Sequence, residues 1–396
     1  MLSVIEFCWI VFQVLIGYNL VLPLVLYVLY LLLPAKKITA QNIAKKESDY
    51  AVIVTAYEQT NTLHAVVNSI LQLTHRNYLI YIVADKCEIS DLSFDDARVI
   101  LLRPEETLAS NTRSHFYAIS HFVRDHERLT IIDSDNLVMP AYLTELDQYF
   151  DAGFIAVQGE RKAKNLDTNY ACLDAARDIY YHFYDGKILF ALGSSATLAG
   201  SGMAFTVELY KDCLEKLSVS GAGFDKVLQK EIVTRGNRIA FAGKAIVYDE
   251  KTSKTDQLVK QRARWINTWF RYFSFGFGLI SKGVTKANFN QLLFGIILLR
   301  PPLFLFLLGS LFCLALNLVL GNMVSVMMWS AALFLFIAGF AIALRRSETD
   351  KRIYRSLWNI PLFVFYQVLS LLKVRKANKH SVATVHYHES TNAPQE

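Results

Sequence analysis

The residues of this chain that could do chemistry are acids placed at the ends of apolar runs. Leu129-Thr130-Ile131-Ile132 is followed at once by Asp133-Ser134-Asp135-Asn136. Two carboxylates one residue apart, delivered by a strand end, can hold a divalent cation against a diphosphate. The same residues also suit a plain turn, because Asp and Asn side chains hydrogen-bond their own backbone. Asp85 ends a second apolar run, Tyr78 to Ala84, and Glu58 follows a third, Tyr50 to Tyr57. Asp225, in Gly223-Phe224-Asp225, opens a helical pattern, where an acid either complements the helix dipole or serves as general base toward a hydroxyl. Gly200 and Gly202 flank Ser201, a spacing for a tight turn or a close backbone approach to a ligand, and equally for an ordinary loop. The rarest string is Gln261-Arg262-Ala263-Arg264-Trp265.

The elements that must position these residues alternate. Tyr50 to Tyr57 reads as a buried strand, Thr62 to Leu73 as an amphipathic helix, Tyr78 to Asp85 and Val99 to Leu102 as strands, Arg113 to Val123 as a helix and Leu129 to Ile132 as a further strand. That order predicts a parallel α/β sheet, whose ligands bind outside the carboxyl ends of the strands. Glu58, Asp85, Asp133 and Asp135 then share one edge of one sheet. Beyond them come a strand at Phe154 to Gly159, an aromatic-rich helix at Tyr170 to Tyr184 and a helix from Gly223 through Val233. No Gly-x-Gly-x-x-Gly follows the first strand and no Walker-type Gly-Lys-Ser/Thr occurs, so a nucleotide would be held by side chains and a metal. Trp265, Trp269, Tyr272, Phe273 and Gly276 fall at helical spacing with Arg262, Arg264 and Arg271 off that stripe, which predicts an amphipathic helix on a membrane surface.

Composition points to a membrane protein with a soluble block. Of 396 residues 53% are hydrophobic, too many for one ordinary soluble domain, while 19% are charged, too many for a pure membrane bundle. Uncharged runs from Phe7 to Leu33, Pro301 to Leu320 and Met323 to Leu344 are near or above the ~20 residues that cross a bilayer. The first has Glu6 in place of a basic start and no small-x-small site before Lys36-Lys37, so it reads as a retained signal anchor. Lys36, Lys37, Lys45 and Lys46 follow the first span; Arg345, Arg346, Lys351, Arg352 and Arg355 follow the third; the Gly321-Asn322 turn has no charge. Basic loops stay inside, which puts the central block in the cytoplasm, on a plasma (inner) membrane crossed several times. The run from Leu357 to Leu372 is short and broken, so an interfacial or re-entrant helix is expected. The net charge of +6 thus reports topology, with no basic stripe suited to nucleic acid. Cys8, Cys87, Cys172, Cys213 and Cys313 do not pair by spacing and predict reduced thiols.

Taken together, these motifs resemble the membrane-embedded inverting glycosyltransferases of family 2, the group of cellulose, chitin and hyaluronan synthases and ceramide glucosyltransferases. The carriers are Val54-Thr55-Ala56-Tyr57-Glu58, Val83-Ala84-Asp85-Lys86-Cys87, Asp133-Ser134-Asp135, Gly200-Ser201-Gly202, Asp225 and Gln261 to Trp265, from about Tyr50 through Trp265. The resemblance implies a GT-A type, Rossmann-like mixed sheet and a nucleoside diphosphate sugar donor. Ala56, Tyr57, Glu58 and Asp85 would contact the nucleoside, and Asp133 and Asp135 would bind the diphosphate through Mg²⁺ or Mn²⁺. Gly200 and Ser201 would line the acceptor path, Asp225 would be the base, Arg264 would steady the leaving diphosphate, and Gln261 and Trp265 would hold the acceptor. Where that family has Thr-Glu-Asp this chain has Gly223-Phe224-Asp225, and Thr55 stands where Pro is common. A C-terminal Thr384-Val385-His386 has counterparts in relatives; as a sequence it reads as a solvated tail.

The expected organisation is therefore a transmembrane helix in residues 1–34, a cytoplasmic GT-A domain in 48–260, and Gln-x-x-Arg-Trp with amphipathic interfacial helices in 261–300. Two transmembrane helices in 301–344, a basic loop with the interfacial or re-entrant helix in 345–376 and a tail in 377–396 complete it. The expected function is metal-dependent, inverting transfer from a UDP-sugar to a membrane-proximal glycan, up to processive polysaccharide synthesis. Transfer of one sugar to a lipid acceptor is the alternative, and a membrane scaffold or transporter with a degenerate transferase domain is the alternative of another class. The partners are the bilayer, the donor and a glycan or lipid-linked acceptor; a secretion partner is not specified by the sequence.

Overall fold

The computed structural model describes residues 3–33, 47–219 and 221–374. Lys36, Lys37, Lys45 and Lys46, used above for orientation, and the tail with Thr384-Val385-His386 lie outside the described residues. A long helix α1 (Val4–Leu32) precedes an alternating block: β1 (Tyr50–Tyr57), α2 (Leu63–Leu71), β2 (Tyr78–Asp85), β3 (Val99–Leu102), α3 (Asn111–Ser120), β4 (Arg128–Asp133), β5 (Leu137–Val138) and α4 (Tyr142–Asp151). Then come β6 (Ala156–Ala163), α5 (Asn169–Tyr181), a π-helical segment (His182–Ile188), α6 (Leu189–Ala191), β7 (Met203–Thr206), α7 (Val207–Leu214), α8 (Phe224–Thr234) and β8 (Ala240–Asp249). The last third is helical: α9 (Thr255–Tyr272), α10 (Phe275–Thr285), α11 (Phe289–Leu299), α12 (Leu303–Val319), α13 (Met323–Arg346), α14 (Lys351–Ser356) and α15 (Ile360–Leu371).

The strands form one mixed sheet in the order β3-β2-β1-β4-β7-β6-β8-β5. β3, β2, β1 and β4 are mutually parallel, while β7 runs antiparallel to both β4 and β6. Parallel strands covered on both faces must be apolar throughout, and β2 is buried at every position. One face packs on α2 and α4 through Val66, Ile70, Leu143 and Leu146. On the other face a single buried cluster runs from Ile53 and Ile131 of the sheet to Leu20, Phe294, Trp329 and Phe336 of the apolar helices. The α/β block and the apolar helices thus share one core.

Among the described residues α1 and α13 are each long and apolar enough to cross a membrane, and α11 with α12 is a third candidate if the pair forms one span, bent by 71°. α12 falls within the apolar run from Pro301 to Leu320; Pro301 and Pro302, which cannot continue a helix and push the preceding residue out of it, set the break from α11 at Arg300. α1, α12 and α13 meet at Gln13, whose Oε1 accepts from Asn317 Nδ2 at 2.7 Å and from Trp329 Nε1 at 2.9 Å. α15 has 12 residues, roughly 18 Å of helix, and lies against α9 with Phe363 buried beside Leu173 and Leu258. The aromatic-rich helix does not stop at Tyr184: it widens into the π segment, which docks the sheet block on the apolar helices. There the Tyr184 hydroxyl donates to the Gly339 carbonyl of α13 at 2.8 Å, and Asp185 pairs with Arg300.

Candidate active site

The parallel register sets the site's edge. Tyr57 lies opposite Asp85 and Thr55 opposite Asp133, so the ends of β2, β1 and β4 open side by side. The Asp133-Asn136 turn is fixed from beneath: the Asn136 N–H donates to the Asp133 carbonyl at 3.0 Å, and the Asp133 N–H donates to Ser201 Oγ at 3.0 Å. Ser201 Oγ in turn donates to Asn136 Oδ1 at 3.3 Å, and Thr62 Oγ1 donates to the Ser134 carbonyl at 2.6 Å. A backbone held this way presents the two carboxylates at a set spacing.

Among the described residues no group of three or more His, Cys, Asp or Glu is placed to hold a metal ion. Mg²⁺ or Mn²⁺ could therefore be held at Asp133 and Asp135 only when diphosphate oxygens complete its shell, which is how such ions are commonly bound in nucleotide sites. The turn fits that arrangement: Asn136, 1% exposed, carries in Nδ2 a buried donor with no hydrogen-bond partner among the described residues. Lys164 Nζ lies 3.5 Å from the Asp135 carbonyl, and burial pushes its ammonium below the ordinary lysine value while Asp135 and Glu250 pull the other way.

Beside the turn, the edge carries strained backbone. Glu58 and Lys86, at the ends of β1 and β2, adopt φ of 60° and 56°, and their side chains pair at 2.7 Å. Non-glycine residues hold this conformation at a cost of about 1–3 kcal/mol each, usually where function needs the turn. Asp85 departs from the expected donor contact. It is 1% exposed and its two carboxylate oxygens accept the backbone N–H groups of Leu108 (2.9 Å) and Ala109 (2.7 Å), so it holds the loop before α3. Ala56, 3% exposed, sits in the core and reaches the edge only through its backbone; Tyr57 is half-buried there.

The loop from Ser194 to Gly202 is anchored by two side-chain amides outside the candidate residues, Gln158 and Gln229. Gln158 Oε1 accepts from Ala199 N–H at 2.9 Å, and its Nε2 donates to the carbonyls of Gly159, Ser201 and Gly202 at 2.9, 3.1 and 3.2 Å. Gln229 Oε1 accepts from Leu198 N–H at 3.0 Å. A glutamine inside the apolar Phe154 to Gly159 run was the available signal. Gly202, at φ 65°, has no room for a side chain, because a Cβ would lie 2.3 Å from Val247 Cγ2. Ser201 is fully buried beneath the Asp133–Asp135 turn, while Gly200 has open space around it.

Asp225 stands in the first turn of α8, paired with Lys226 at 3.0 Å, and Lys226 also donates to the Leu198 carbonyl at 3.0 Å. The preceding Gly223 has φ 102°, and a Cβ there would sit 2.6 Å from Thr268 Cγ2 and 2.7 Å from Tyr272 Cε2. Glycine lets the start of α8 press directly on α9, the helix that carries Gln261 to Trp265.

Within α9 the roles of the string divide. Gln261 Oε1 accepts from Thr252 Oγ1 at 3.1 Å. Arg262 is not off the packed face, as the helical spacing predicts: it is 2% exposed and bonded to Asp174 of α5. Arg264 is partly buried, and burial lowers its pKa from the usual arginine value. Trp265 is 37% exposed, with Arg177 and Arg262 guanidinium carbons each 4.2 Å from its ring centroid. A chain of ion pairs leads back toward the Asp133–Asp135 turn. Arg177 bonds Asp174 and Asp178, Asp178 also holds Arg161 (3.1 Å) and Lys251 (2.5 Å), and Asp249 meets Arg161 at 3.3 Å and Lys251 at 2.7 Å. Burial works against the Arg161 charge, but Asp249, Asp178 and Asp133 outweigh it and hold it above the ordinary arginine value.

Comparison with known proteins supplies the family. Residues 48–268 match the model described as glycosyltransferase like family 2. No curated protein sequence matches the chain. Among solved structures, the mannosyltransferase PcManGT from Pyrobaculum calidifontis, in complex with GDP-Man and Mn²⁺, is similar over 92% of this chain and 99% of its own, with a TM-score of 0.53 and 13% identity. S. aureus TarS, residues 1–349, aligns over 83% of this chain and 90% of its own at a TM-score of 0.42 and 14% identity. The family model covers more than half of the 396 residues and includes the Asp133 turn, Asp225 and the Gln261 to Trp265 string; the chain belongs to the glycosyltransferases of family 2.

Proposed function

We propose that the chain is an inverting, metal-dependent glycosyltransferase that moves a sugar from a UDP-sugar to an acceptor presented at a membrane surface. The observation that carries this reading is the Asp133-Asp135 turn, tied from beneath by Ser201 and coupled through Arg161 and Asp178 to the layer under α9. Asp133 and Asp135 would hold Mg²⁺ or Mn²⁺ with the donor diphosphate, and Glu58 and Tyr57 would border the nucleoside, with Asp85 acting as a positioning residue behind them. When bound, the ion supplies positive charge where the leaving diphosphate becomes more negative. Arg264 adds a guanidinium to the same oxygens; its partial burial strengthens that attraction.

Asp225 takes the proton of the attacking hydroxyl, so the acceptor displaces the diphosphate directly with inversion and without a covalent enzyme intermediate. Gly200 leaves open space on the acceptor side, and Gln261 and Trp265 hold the acceptor sugar. α1 and α13, with the bent α11–α12 pair, would make the protein multi-pass in the plasma (inner) membrane, and the basic residues after α13 would keep the sheet on the cytoplasmic side. α9 and α15 would then lie at the interface.

A second reading, single transfer to a lipid-linked acceptor, is favoured by one contact. Gln13, Asn317 and Trp329 hydrogen-bond across α1, α12 and α13, which packs those helices directly on one another. Purified protein with Mn²⁺ and a panel of radiolabelled UDP-sugars and GDP-mannose, added to membrane vesicles, tests both readings. Nucleoside diphosphate release with a ladder of products supports polymerisation, one added sugar in the lipid fraction supports the lipid acceptor, and release with none of the nucleotide sugars sinks the transferase reading.

A further inference from the structure

Trp265 lies against two guanidinium groups from different helices, and one carboxylate holds both. Asp174, in α5 and 2% exposed, pairs through Oδ1 with Arg177 Nη2 at 3.0 Å and with Arg262 Nη2. Arg177 comes from the next turn of α5, whereas Arg262 comes from α9, one turn before Trp265 itself. Both guanidinium carbons stand 4.2 Å from the indole centroid, within the range where the ring's negative face attracts a cation. Among the described residues Arg262 Nε and Nη1 are buried with no hydrogen-bond partner, so that side of the group rests on rings, the Trp265 indole at 4.2 Å and Phe363 at 5.7 Å. A planar fork suits this dual task, since it can bond a carboxylate along its edge while its face lies on an aromatic ring.

We propose that Asp174 is a positioning residue for the acceptor: by locking Arg177 and Arg262 against the indole, it fixes Trp265, whose exposed part then meets the incoming sugar. The inference rests on the reading of Trp265 as an acceptor contact. It also explains why a tryptophan that is 37% exposed sits over a layer of buried charge. A surface indole samples several rotamers; one held by two cations on one acid presents a single orientation, and a pre-ordered contact lowers the entropy cost of holding an acceptor. Arg177 bonds Asp178 as well, and Asp178 holds Arg161, so the same network that orients Trp265 reaches the neighbourhood of Asp133.

The test uses the full-length chain labelled with 5-fluorotryptophan, so that each of its five tryptophans gives a ¹⁹F resonance. Trp265→Phe assigns the one of interest. Asp174→Asn should shift and broaden that resonance while the other four stay in place, and Asp174→Glu should return it toward its native position. Arg177→Lys keeps the charge but removes the flat group over the ring, and should move the same resonance even where the Asp174 variant folds poorly. In the vesicle transfer assay Asp174→Asn should raise the acceptor KM about tenfold with the donor KM unchanged, the scale of a lost desolvated cation–π contact. A Trp265 resonance unmoved in both Asp174→Asn and Arg177→Lys overturns the proposal. A moved resonance together with full transfer by Trp265→Ala leaves the positioning of the ring standing and removes the acceptor role of Trp265.

Discussion

The parallel half of the sheet and the layer under α9 are built by opposite means. At the ends of β1, β2 and β4 polar groups are fixed by uncharged partners: the Asp85 carboxylate by the backbone N–H groups of Leu108 and Ala109, the Asp133 N–H by the Ser201 hydroxyl, the Ser134 carbonyl by the Thr62 hydroxyl. Between α5, β6, β8 and α9 the fixing groups are charges in the interior, with Asp174, Lys251 and Arg262 all 2% exposed. The first construction is local, so a changed side chain at the edge removes chemistry and leaves the frame. The second joins segments that are distant in sequence, so a charge removed there acts on stability as well as on function. Burying charges costs more than burying carbon, and removal of one partner leaves the other uncompensated.

That contrast gives an order of expected effects. Asp133→Ala or Asp135→Ala should lower transfer by about a thousandfold, the scale of losing an electrostatic group that acts on the leaving charge. The thermal midpoint should barely change, because the turn is held by backbone and hydroxyl contacts. A midpoint that falls with the activity would erase the distinction drawn between the two regions. Asp225→Asn should cost comparable activity, with metal-dependent donor binding, measured by nucleotide protection, retained. Chelation should abolish transfer and Mn²⁺ restore it.

Lys251→Met reads the opposite behaviour. It removes the cation between Asp178 and Asp249, 2.5 and 2.7 Å away, and should destabilise the fold by about 3–5 kcal/mol. Burial works to raise the Asp178 carboxyl, yet Lys251, Arg177 and Arg161 outweigh it and hold it well below the usual carboxylate range. Lys251→Met together with Asp249→Asn should recover part of the loss, because the excess negative charge goes too. Thermal denaturation of the intact protein in detergent checks both variants. Gly223→Ala ranks next: the φ of 102° and the clash with Thr268 and Tyr272 should cost about 1–3 kcal/mol and shift the first turn of α8, so activity falls beyond what stability accounts for.

The same contrast explains what could be read without coordinates. β1, β2 and β4 are continuous apolar runs ending in acids, a pattern that specifies parallel strands and their functional edge before any packing is known. The mixed half was harder. β7 has 4 residues and β5 has 2, too few for a periodic signal, and their antiparallel pairing depends on tertiary partners. Asp225 and the Gln261 to Trp265 string were visible as residue types, but not the approach of α8 to α9, which depends on the missing Cβ of Gly223. Arg262 reads only as off the aromatic stripe, because helical spacing shows which positions share a face, not which neighbour can satisfy a buried charge. Its partner Asp174 is 88 residues away. The part Gln158 plays is hidden for a related reason: a polar side chain bonded to distant backbone leaves no local pattern.

The smallest effect lies where the two regions meet, at His115. This residue, in α3, is 0% exposed; its Nδ1 is 2.7 Å from the Tyr210 hydroxyl, its Nε2 is buried with no hydrogen-bond partner among the described residues, and its ring lies edge-on to Phe224, next to Asp225. Burial pushes the imidazole down to about 3, and burial likewise takes His182 of the π segment to about 3. An unfolded histidine titrates near 6.5, so between these values the unfolded chain binds more protons than the folded one. Stability from these groups is therefore complete above about pH 6.5 and is lost as pH falls from there toward 3. From pH 6.5 to 5.0 each histidine should cost about 2 kcal/mol, with a proton entering beside Phe224 loosening the first turn of α8. His115→Gln keeps a polar partner for Tyr210 without a titrating ring, so the drop in thermal midpoint between pH 7.5 and 5.0 should shrink relative to the native chain. An unchanged drop would assign the acid sensitivity to the charged layer under α9 and leave the α3–α8 contact out of it.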